Sequence, residues 1–218
     1  MEALVNLRRA RHFDIDSISS LFIETQPDRI WARGGPRICR FLVRQYCLGS
    51  LEFTVVATRN RSEVIGACFG TRSRQDLMRR LLQANLAGLA CTVAAEAVLR
   101  PHLLSALIAR AVRETFFRAG VARSAGPIQG NTLLPRKDAK VWDATLIIVA
   151  TAFRNHGVAT GLLDKYVQEI PRGEYDFCRG HTLPENAAMM RALKKAGFEP
   201  VVGSGDMVPY LIELSKGR

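Results

Sequence analysis

An apolar run that passes through a glycine turn into an amphipathic segment restricts the fold of this chain most. Residues 145–151 are apolar, β-branched or small, which predicts a buried strand. Residues 154–157 read Arg-Asn-His-Gly and predict a turn, and residues 158–170 place apolar side chains at helical spacing. The first amides of such a helix have no partner within it, and the helix dipole adds a positive end. The segment therefore predicts a site for phosphate.

The remaining segments predict further strands and helices around this unit. Alternating or β-branched runs between polar turns indicate strands, and apolar residues at helical spacing indicate helices. The predicted elements are a strand over 1–9, a helix capped by Asp14, a helix over 36–48, a hairpin over 53–58 and 64–71, a strand over 175–180, a helix over 184–196 and a strand pair over 198–202 and 207–214. Their order favours an α/β fold with a mixed sheet.

Residues 72–140 interrupt this pattern. Long helical runs over 76–99 are followed by an amphipathic face over 104–116 and by a loop over 120–140. A chain of 218 residues fits a single domain if part of it is an insertion. We expect one domain over 1–218 with a helical insertion at about 72–140, which walls an acceptor site or forms a homodimer interface.

Composition excludes several classes of protein. Hydrophobic residues make up 48% and charged residues 23%, as in globular proteins. Charged residues interrupt the first twenty positions, so no secretory leader is recognised and we expect a cytoplasmic chain. The longest charge-free apolar stretch, 81–95, is too short for a spanning helix, so no membrane span is expected. The five cysteines show no C-x-x-C pair and the four histidines no ligand spacing, so no metal site is expected.

The net charge of +11 favours anionic ligands through long-range attraction. Arginines cluster within 29–44 and within 72–80, where they could meet nucleic acid, anionic lipid or phosphorylated metabolites. A solvated basic face explains the same clusters equally well. Aromatic residues are few and no nucleic-acid motif accompanies the arginines, which disfavours nucleic acid as a partner.

The glycine turn resembles a motif of the GNAT acyltransferase superfamily. That motif, [Arg/Gln]-x-x-Gly-x-[Gly/Ala] directly after a strand, is matched by Arg154, Gly157 and Ala159. Residues 186–198, which run from an Asn to a Gly-Phe pair, are similar to the late helix of the superfamily. Residues 7–16 and the hairpin with Gly66 extend the resemblance to about two thirds of the chain.

The resemblance implies an α/β fold with a central mixed sheet of about seven strands, flanked by helices and carrying the insertion between strands 3 and 4. It also implies an N-acyltransferase that passes an acetyl or other short acyl group from acetyl-CoA or another acyl-CoA to a primary amine, by direct attack. The basic surface favours a small phosphorylated or amino-sugar acceptor over a protein. A catalytically silent acyl-CoA-binding regulator and a basic nucleic-acid-binding module remain as alternatives.

In this superfamily the pyrophosphate of coenzyme A lies on the loop amides and the pantetheine lies in a wedge between two parallel strands. The resemblance places that wedge between 147–151 and 177–180, with backbone groups near Val149 and Ala150 free to pair with the pantetheine. The implied cofactor contacts are Ile148, Val149, Ala150, Thr151, Arg154, Asn155, His156, Gly157, Val158, Ala159, Thr160 and Asn186. Asn186 could equally serve as a helix N-cap.

Candidates for proton transfer also follow from the resemblance. Asp143 occupies a position where many members carry a Glu, and it predicts a general base, although a strand-edge carboxylate is an alternative. Asp76, Glu96 and Asp138 are further candidates within the insertion.

Leu193 replaces the Tyr that many members use to protonate the departing thiolate. Leu cannot donate a proton, so Tyr210 on the last predicted strand is the expected substitute. The alternatives are Tyr175, Cys178, a water molecule, or departure of the thiolate without a proton donor.

Overall fold

A computed structural model of the chain describes residues 5–49, 52–60, 62–72, 91, 94, 139–201 and 207–214. The strands in these ranges are β1 (Val5–Arg9), β2 (Glu52–Arg59), β3 (Glu63–Thr71), β4 (Val141–Val149), β5 (Phe177–Thr182), β6 (Glu199–Pro200) and β7 (Val208–Glu213). The helices are α1 (Ile15–Thr25), α2 (Ile30–Arg33), α3 (Pro36–Leu48), α4 (Val158–Glu169) and α5 (Ala187–Lys195). Two short 3-10 helices cover His12–Asp14 and Thr151–Phe153.

All seven strands form one mixed sheet in the order β1-β2-β3-β4-β5-β7-β6. Every neighbouring pair is antiparallel except β4 with β5, which is parallel. The predicted seven-stranded mixed sheet with flanking helices is confirmed. The predicted helical insertion lies between β3 and β4 and, apart from residues 72, 91, 94, 139 and 140, falls outside the described residues.

Apolar cores cover both faces of the sheet. On one face α4 and α5 bury Leu162, Leu163 and Leu193 against the strands, and on the other α1 and α3 bury Ile18 and Cys39. Burial of each large aliphatic side chain contributes about 1.5–3 kcal/mol. The sheet is therefore held rigidly between two helical layers, with β4 in its centre.

Tyr166 fixes α4 against the sheet. Its ring stacks on Phe53 with centroids 4.6 Å apart, and its hydroxyl accepts a hydrogen bond from Trp142 Nε1. Gly70 on β3 makes room for the hydroxyl, since a Cβ there would lie 1.2 Å from it. This close approach sets where α4 begins relative to the end of β4.

Several element boundaries differ from the prediction. β4 begins at Val141 and not at residue 145, and Thr151 lies in a 3-10 helix and not in the strand. The buried Asp143 within the first half of β4 hid the strand from the hydrophobic pattern. The strand predicted over 175–180 runs over Phe177–Thr182, and the helix predicted from 184 begins at Ala187.

Asp14 holds the N-cap position of α1, as predicted, but its side chain does not cap the helix. Its carboxylate accepts two bonds from the Arg8 guanidinium, at 2.6 and 2.8 Å, and one from the Arg11 amide at 2.7 Å. Burial raises the pKa of Asp14, but these bonds outweigh burial and the net pKa is lowered. The pair ties β1 to the start of α1.

Candidate functional site

The parallel strands β4 and β5 open into a wedge. Their pairing runs from Val141 opposite Phe177 to Ala144 opposite Gly180 and goes no further. Beyond Ala144, residues 145–149 of β4 have a backbone edge that β5 does not cover. The wedge expected between 147–151 and 177–180 is therefore wrong on the β5 side, because the segment of β5 up to Gly180 is the paired one.

A β-bulge marks the opening of the wedge. On the β3 side of β4, Ala144 pairs with Gly70 and Leu146 with Phe69, so Thr145 is an extra residue. A bulge bends its strand and increases the local twist. The bend coincides with the last β4–β5 pair and gives a physical reason for the separation of the two strands.

Two backbone groups at the end of β4 are bonded within the chain. The Ala150 N–H donates to the Ile65 carbonyl at 2.9 Å, and the Val149 carbonyl accepts from Arg154 Nε at 3.2 Å. The expectation that these groups are free for a ligand is therefore not met. The available strand edge lies earlier, along residues 145–148.

The loop after β4 presents amides at the start of α4. Asn155 and Gly157 have left-handed φ values of 65° and 79°, which reverse the chain above the end of the strand. The first backbone bond of α4 runs from the Gly161 N–H to the Gly157 carbonyl, so the amides of 158–160 have no acceptor within the helix. A Cβ on Gly157 would meet no atom within 4 Å, so open space lies beside the turn.

A cavity of about 640 Å³ joins this loop to the wedge and to α5. Nine of the twelve predicted cofactor contacts line it: Ile148, Val149, Arg154, Asn155, Gly157, Val158, Ala159, Thr160 and Asn186. The other three, Ala150, Thr151 and His156, are not among its lining residues. His156 instead places Nδ1 at 2.8 Å from the Arg154 carbonyl and is exposed.

Nine further residues line the cavity. Ile147 belongs to the β4 side of the expected wedge, and the other eight were not predicted: Thr25, Gln26, Phe153, Ala188, Met189, Arg191, Ala192 and Lys195. Those on α5 recur at helical spacing from Asn186, so a helical projection of residues 186–195 could have found them. Thr25 and Gln26 lie at the end of α1, and only the tertiary fold brings them to this place.

The charges around the cavity have one sign. Arg154, Arg191 and Lys195 line it, and among the described residues no Asp or Glu does. Arg191 and Lys195 are four positions apart on α5 and so share a face. Unpaired helix-start amides together with three cations form an environment suited to a phosphate-bearing ligand.

Asn186 is both a cap and a lining residue. Its side-chain oxygen accepts from the Met189 N–H at 3.1 Å, as the N-cap alternative predicted. Because the oxygen is held in this way, the side-chain amide nitrogen is the group left to donate towards a ligand.

Solved acetyltransferases have the same architecture as this chain. An acetyltransferase of the GNAT family from Bacillus cereus matches 96% of this chain and 97% of its own, with 13% identity and a TM-score of 0.53. NAA60 of Arabidopsis thaliana, in complex with a bisubstrate analogue, matches 96% and 98%, with 11% identity and a TM-score of 0.55. The ribosomal-protein-S18-alanine N-acetyltransferase of Escherichia coli matches 99% and 97%, with 8% identity and a TM-score of 0.54.

The chain has the GNAT fold. The resemblance read from the glycine turn and the late helix is confirmed at the level of the fold. Comparison of the sequence with protein-family models and with curated proteins finds no match.

Within this GNAT fold, Asp143 lies beside the wedge but is ion-paired. The carboxylate is buried, with 6% of the residue exposed, and both oxygens accept from Arg179, at 2.7 Å from Nε and 3.1 Å from Nη2. Asp143 does not line the cavity. A carboxylate held by a bidentate guanidinium is better suited to positioning Arg179 than to accepting a proton from an amine.

Tyr210 and its alternatives Tyr175 and Cys178 are packed into the core. Tyr210 is 2% exposed and belongs to the core on the α4 and α5 side, and Tyr175 packs edge-on against Trp142. Burial raises the pKa of Tyr175 and raises that of Cys178 well above its ordinary value. None of these three groups lines the cavity.

Leu193, which replaces the tyrosine of many superfamily members, is 2% exposed and packs against Gly180. The remaining candidates for proton transfer, Asp76, Glu96 and Asp138, lie outside the described residues.

A second cavity of about 1000 Å³ lies at the other end of α4. Its lining mixes cations such as Lys165 and Arg172 with acids such as Asp164 and Glu213. This second cavity lacks the amides of the glycine turn. The cavity at the glycine turn is therefore the better site for an anion, although its volume is smaller. Among the described residues, no cluster of side chains could hold a metal ion and no helix has the length and apolarity to cross a membrane.

Proposed function

We propose that this chain is an N-acyltransferase that moves an acetyl or other short acyl group from acyl-CoA to a primary amine. The observation that carries this proposal is the cavity in which the amides of 158–160, three cations and the uncovered edge of β4 meet without a described carboxylate. Coenzyme A has phosphates that suit the amides and cations, and a pantetheine arm with amides that suit a strand edge. The GNAT fold supports the same ligand.

The dimensions of the site support an extended pantetheine arm. Residues 145 to 149 of β4 span about 13 Å at a rise of about 3.3 Å per residue. Phosphates at the start of α4 would therefore leave the thioester near the opening of the wedge, at Thr145. Backbone N–H groups on this edge could stabilise the oxyanion that forms when an amine attacks the thioester carbon. Catalysis then depends on positioning and on proton transfer, without a covalent enzyme intermediate.

The acceptor is proposed to be a small amine that carries a phosphate or a sugar. The supporting observation is the exposed arginine face of α3, where Arg37, Arg40 and Arg44 recur on one side. Arg40 is paired with Asp16 at 2.8 Å.

We further propose that 1–218 form a single domain in which residues 72–140 wall the acceptor site. A homodimer through that segment is the competing proposal, and light scattering distinguishes the two.

The experiment that tests the function has two steps. Isothermal titration calorimetry with coenzyme A measures binding, and release of free thiol from acetyl-CoA over a panel of amino sugars, phosphorylated amines and peptides measures transfer. Binding together with amine-dependent thiol release supports the enzyme. Absence of coenzyme A binding would overturn the proposal.

A second function is favoured by one observation. Neither of the sequence-predicted proton-transfer residues, Asp143 and Tyr210, lines the cavity. A silent acyl-CoA-binding regulator would keep the phosphate loop and need no such groups. Tight coenzyme A binding without thiol release for any amine in the panel would favour this regulator over the enzyme.

A further inference from the structure

We propose that His181 is the proton-transfer residue that deprotonates the acceptor amine, a role that rests on the proposed function. His181 is the first residue of β5 beyond the last pair of the parallel strands, Ala144 with Gly180. The matching residue on β4 is Thr145, the extra residue of the bulge. His181 therefore lies at the opening of the wedge, on the strand opposite the available edge of β4.

The alternation of β5 places the imidazole on one face of the sheet. Cys178 belongs to the core on the α4 and α5 side, and a Cβ on Gly180 would face Leu193 of α5. Arg179 and His181 alternate with these residues and lie on the opposite face, towards α1 and α3. The Arg179 pair with Asp143 agrees with this assignment.

This face is polar at the opening of the wedge. Thr145 Oγ1 donates to the Phe69 carbonyl at 3.2 Å and lies 3.4 Å from the hydroxyl of Tyr46 on α3. Tyr46, Thr145 and His181 are each half-buried and not sealed in the core. Such partial access suits a group that exchanges protons with an acceptor or with water.

The thioester can be expected at this point. The described cavity wall extends along β4 to Ile147, two residues from Thr145, and Thr145 and His181 lie beyond this wall, not among its lining residues. A pantetheine arm that follows the strand edge from the glycine turn would end beside the last β4–β5 pair. The reacting carbonyl would then lie between the two strands, with the imidazole on the face that α1 and α3 cover.

Among the described residues, three titratable or charged groups share this face of the sheet with His181: Arg179 on β5, Asp143 on β4 and Tyr46 on α3. Asp143 and Arg179 are paired with each other, and β7 places Pro209 opposite His181. Histidine is the side chain most often used as a general base near neutral pH, because an imidazole in solution titrates near pH 6.5.

The proposed step conserves atoms and charge. The acceptor ammonium gives one proton to His181, directly or through a water molecule. The neutral nitrogen then attacks the thioester carbon, so that a C–N bond forms and the C–S bond breaks. A second proton from this nitrogen goes to the departing sulfur, which gives the amide and the free thiol of coenzyme A. Protonated His181 returns its proton to solvent.

The test is the pH profile of kcat/KM for His181→Gln with acetyl-CoA and the amine that wild type acylates fastest. General-base catalysis contributes about 100- to 10,000-fold, so we expect a loss of that order at pH 7 and loss of the acidic limb of the profile. The defect should shrink above the pKa of the amine, where the substrate is already deprotonated. His12→Gln is the matched control, because His12 is exposed before α1 and outside the cavity.

Coenzyme A affinity, measured by calorimetry, should be the same in His181→Gln and wild type, which shows that the fold and the phosphate site are intact. Should this variant not fold, His181→Ala is assayed with added imidazole, which is expected to restore part of the rate. Three results would overturn the role of His181 alone. His181→Gln could keep the wild-type kcat/KM and the acidic limb of the pH profile, or it could lose kcat/KM equally at every pH. The third result is that added imidazole does not restore activity to His181→Ala. A wild type that binds coenzyme A but acylates no amine would overturn the proposed function together with this role.

Discussion

Gly157 and Gly173 form a matched pair that can separate ligand binding from folding. Both have left-handed φ values, 79° and 80°, and a Cβ on either would meet no atom within 4 Å. Both are exposed, but only Gly157 lines the cavity, whereas Gly173 lies in the turn before β5. Substitution by Ala should therefore strain the backbone equally at the two sites, while only Gly157→Ala places a methyl group where a phosphate is proposed to lie.

The expected magnitudes follow from the shared geometry. A left-handed Ala costs about 1–2 kcal/mol of stability, and for a domain of this size each kcal/mol lowers Tm by about 2–4 °C. Both variants should thus melt about 2–8 °C below wild type without ligand. Coenzyme A at 100 times its Kd stabilises wild type by about 2.7 kcal/mol. A tenfold rise in Kd for Gly157→Ala would reduce this gain to about 1.4 kcal/mol at the same concentration.

Differential scanning calorimetry with and without coenzyme A measures both effects. We expect Gly173→Ala to keep the wild-type ligand-dependent shift and Gly157→Ala to lose about half of it. Gly157→Glu adds a negative charge at the same place and should abolish the shift. Equal shifts in Gly157→Ala and Gly173→Ala would refute the assignment of the glycine turn as the phosphate site.

Three further predictions concern the same structure. Arg191→Gln and Lys195→Gln should each weaken coenzyme A binding up to about fivefold in low-salt calorimetry, since an exposed ion pair contributes up to about 1 kcal/mol, and high salt should remove the difference. Asp14 has a lowered pKa, so its stabilisation is present above about pH 4 and is lost as the pH falls through the folded pKa; Asp14→Asn should melt lower than wild type at pH 7, with the gap narrowing in acid. Gly70→Ala should lower Tm by several degrees, because its Cβ would overlap the Tyr166 hydroxyl and overpacking costs about 1–3 kcal/mol.

The glycine turn could be predicted from sequence because its determinants are local. A strand, a residue tolerant of positive φ and an amphipathic helix occur within one short segment, and each leaves its own pattern. The observed turn agrees with that pattern at Gly157, and α4 begins at the next residue. The helix over 36–48 was predicted correctly for the same reason, since Pro36 stands in its first turn and a four-residue apolar spacing follows.

The surroundings of the candidate proton-transfer residues could not be predicted in this way, because they depend on strand register. Asp143 was selected because it occupies a strand position where many superfamily members carry a Glu, yet its environment is decided by Arg179 on another strand. Tyr210 was selected for its place on the last strand, but the alternation of β7 turns it into the core, opposite Gly180. A shift of one residue in either pairing would exchange the faces of these side chains.

The bulge at Thr145 shows why the opening of the wedge also required the fold. A bulge is a mismatch in the register of two strands: here Thr145 of β4 is skipped in the pairing with β3, and neither strand alone carries a signature of this. Once the mismatch is known, the end of the β4–β5 ladder follows, and with it the residue of β5 that first leaves the ladder. That residue is His181, which the sequence offered only as one of four scattered histidines. The chemical role proposed for His181 therefore depends on the separation of two strands, which the sequence around His181 does not show.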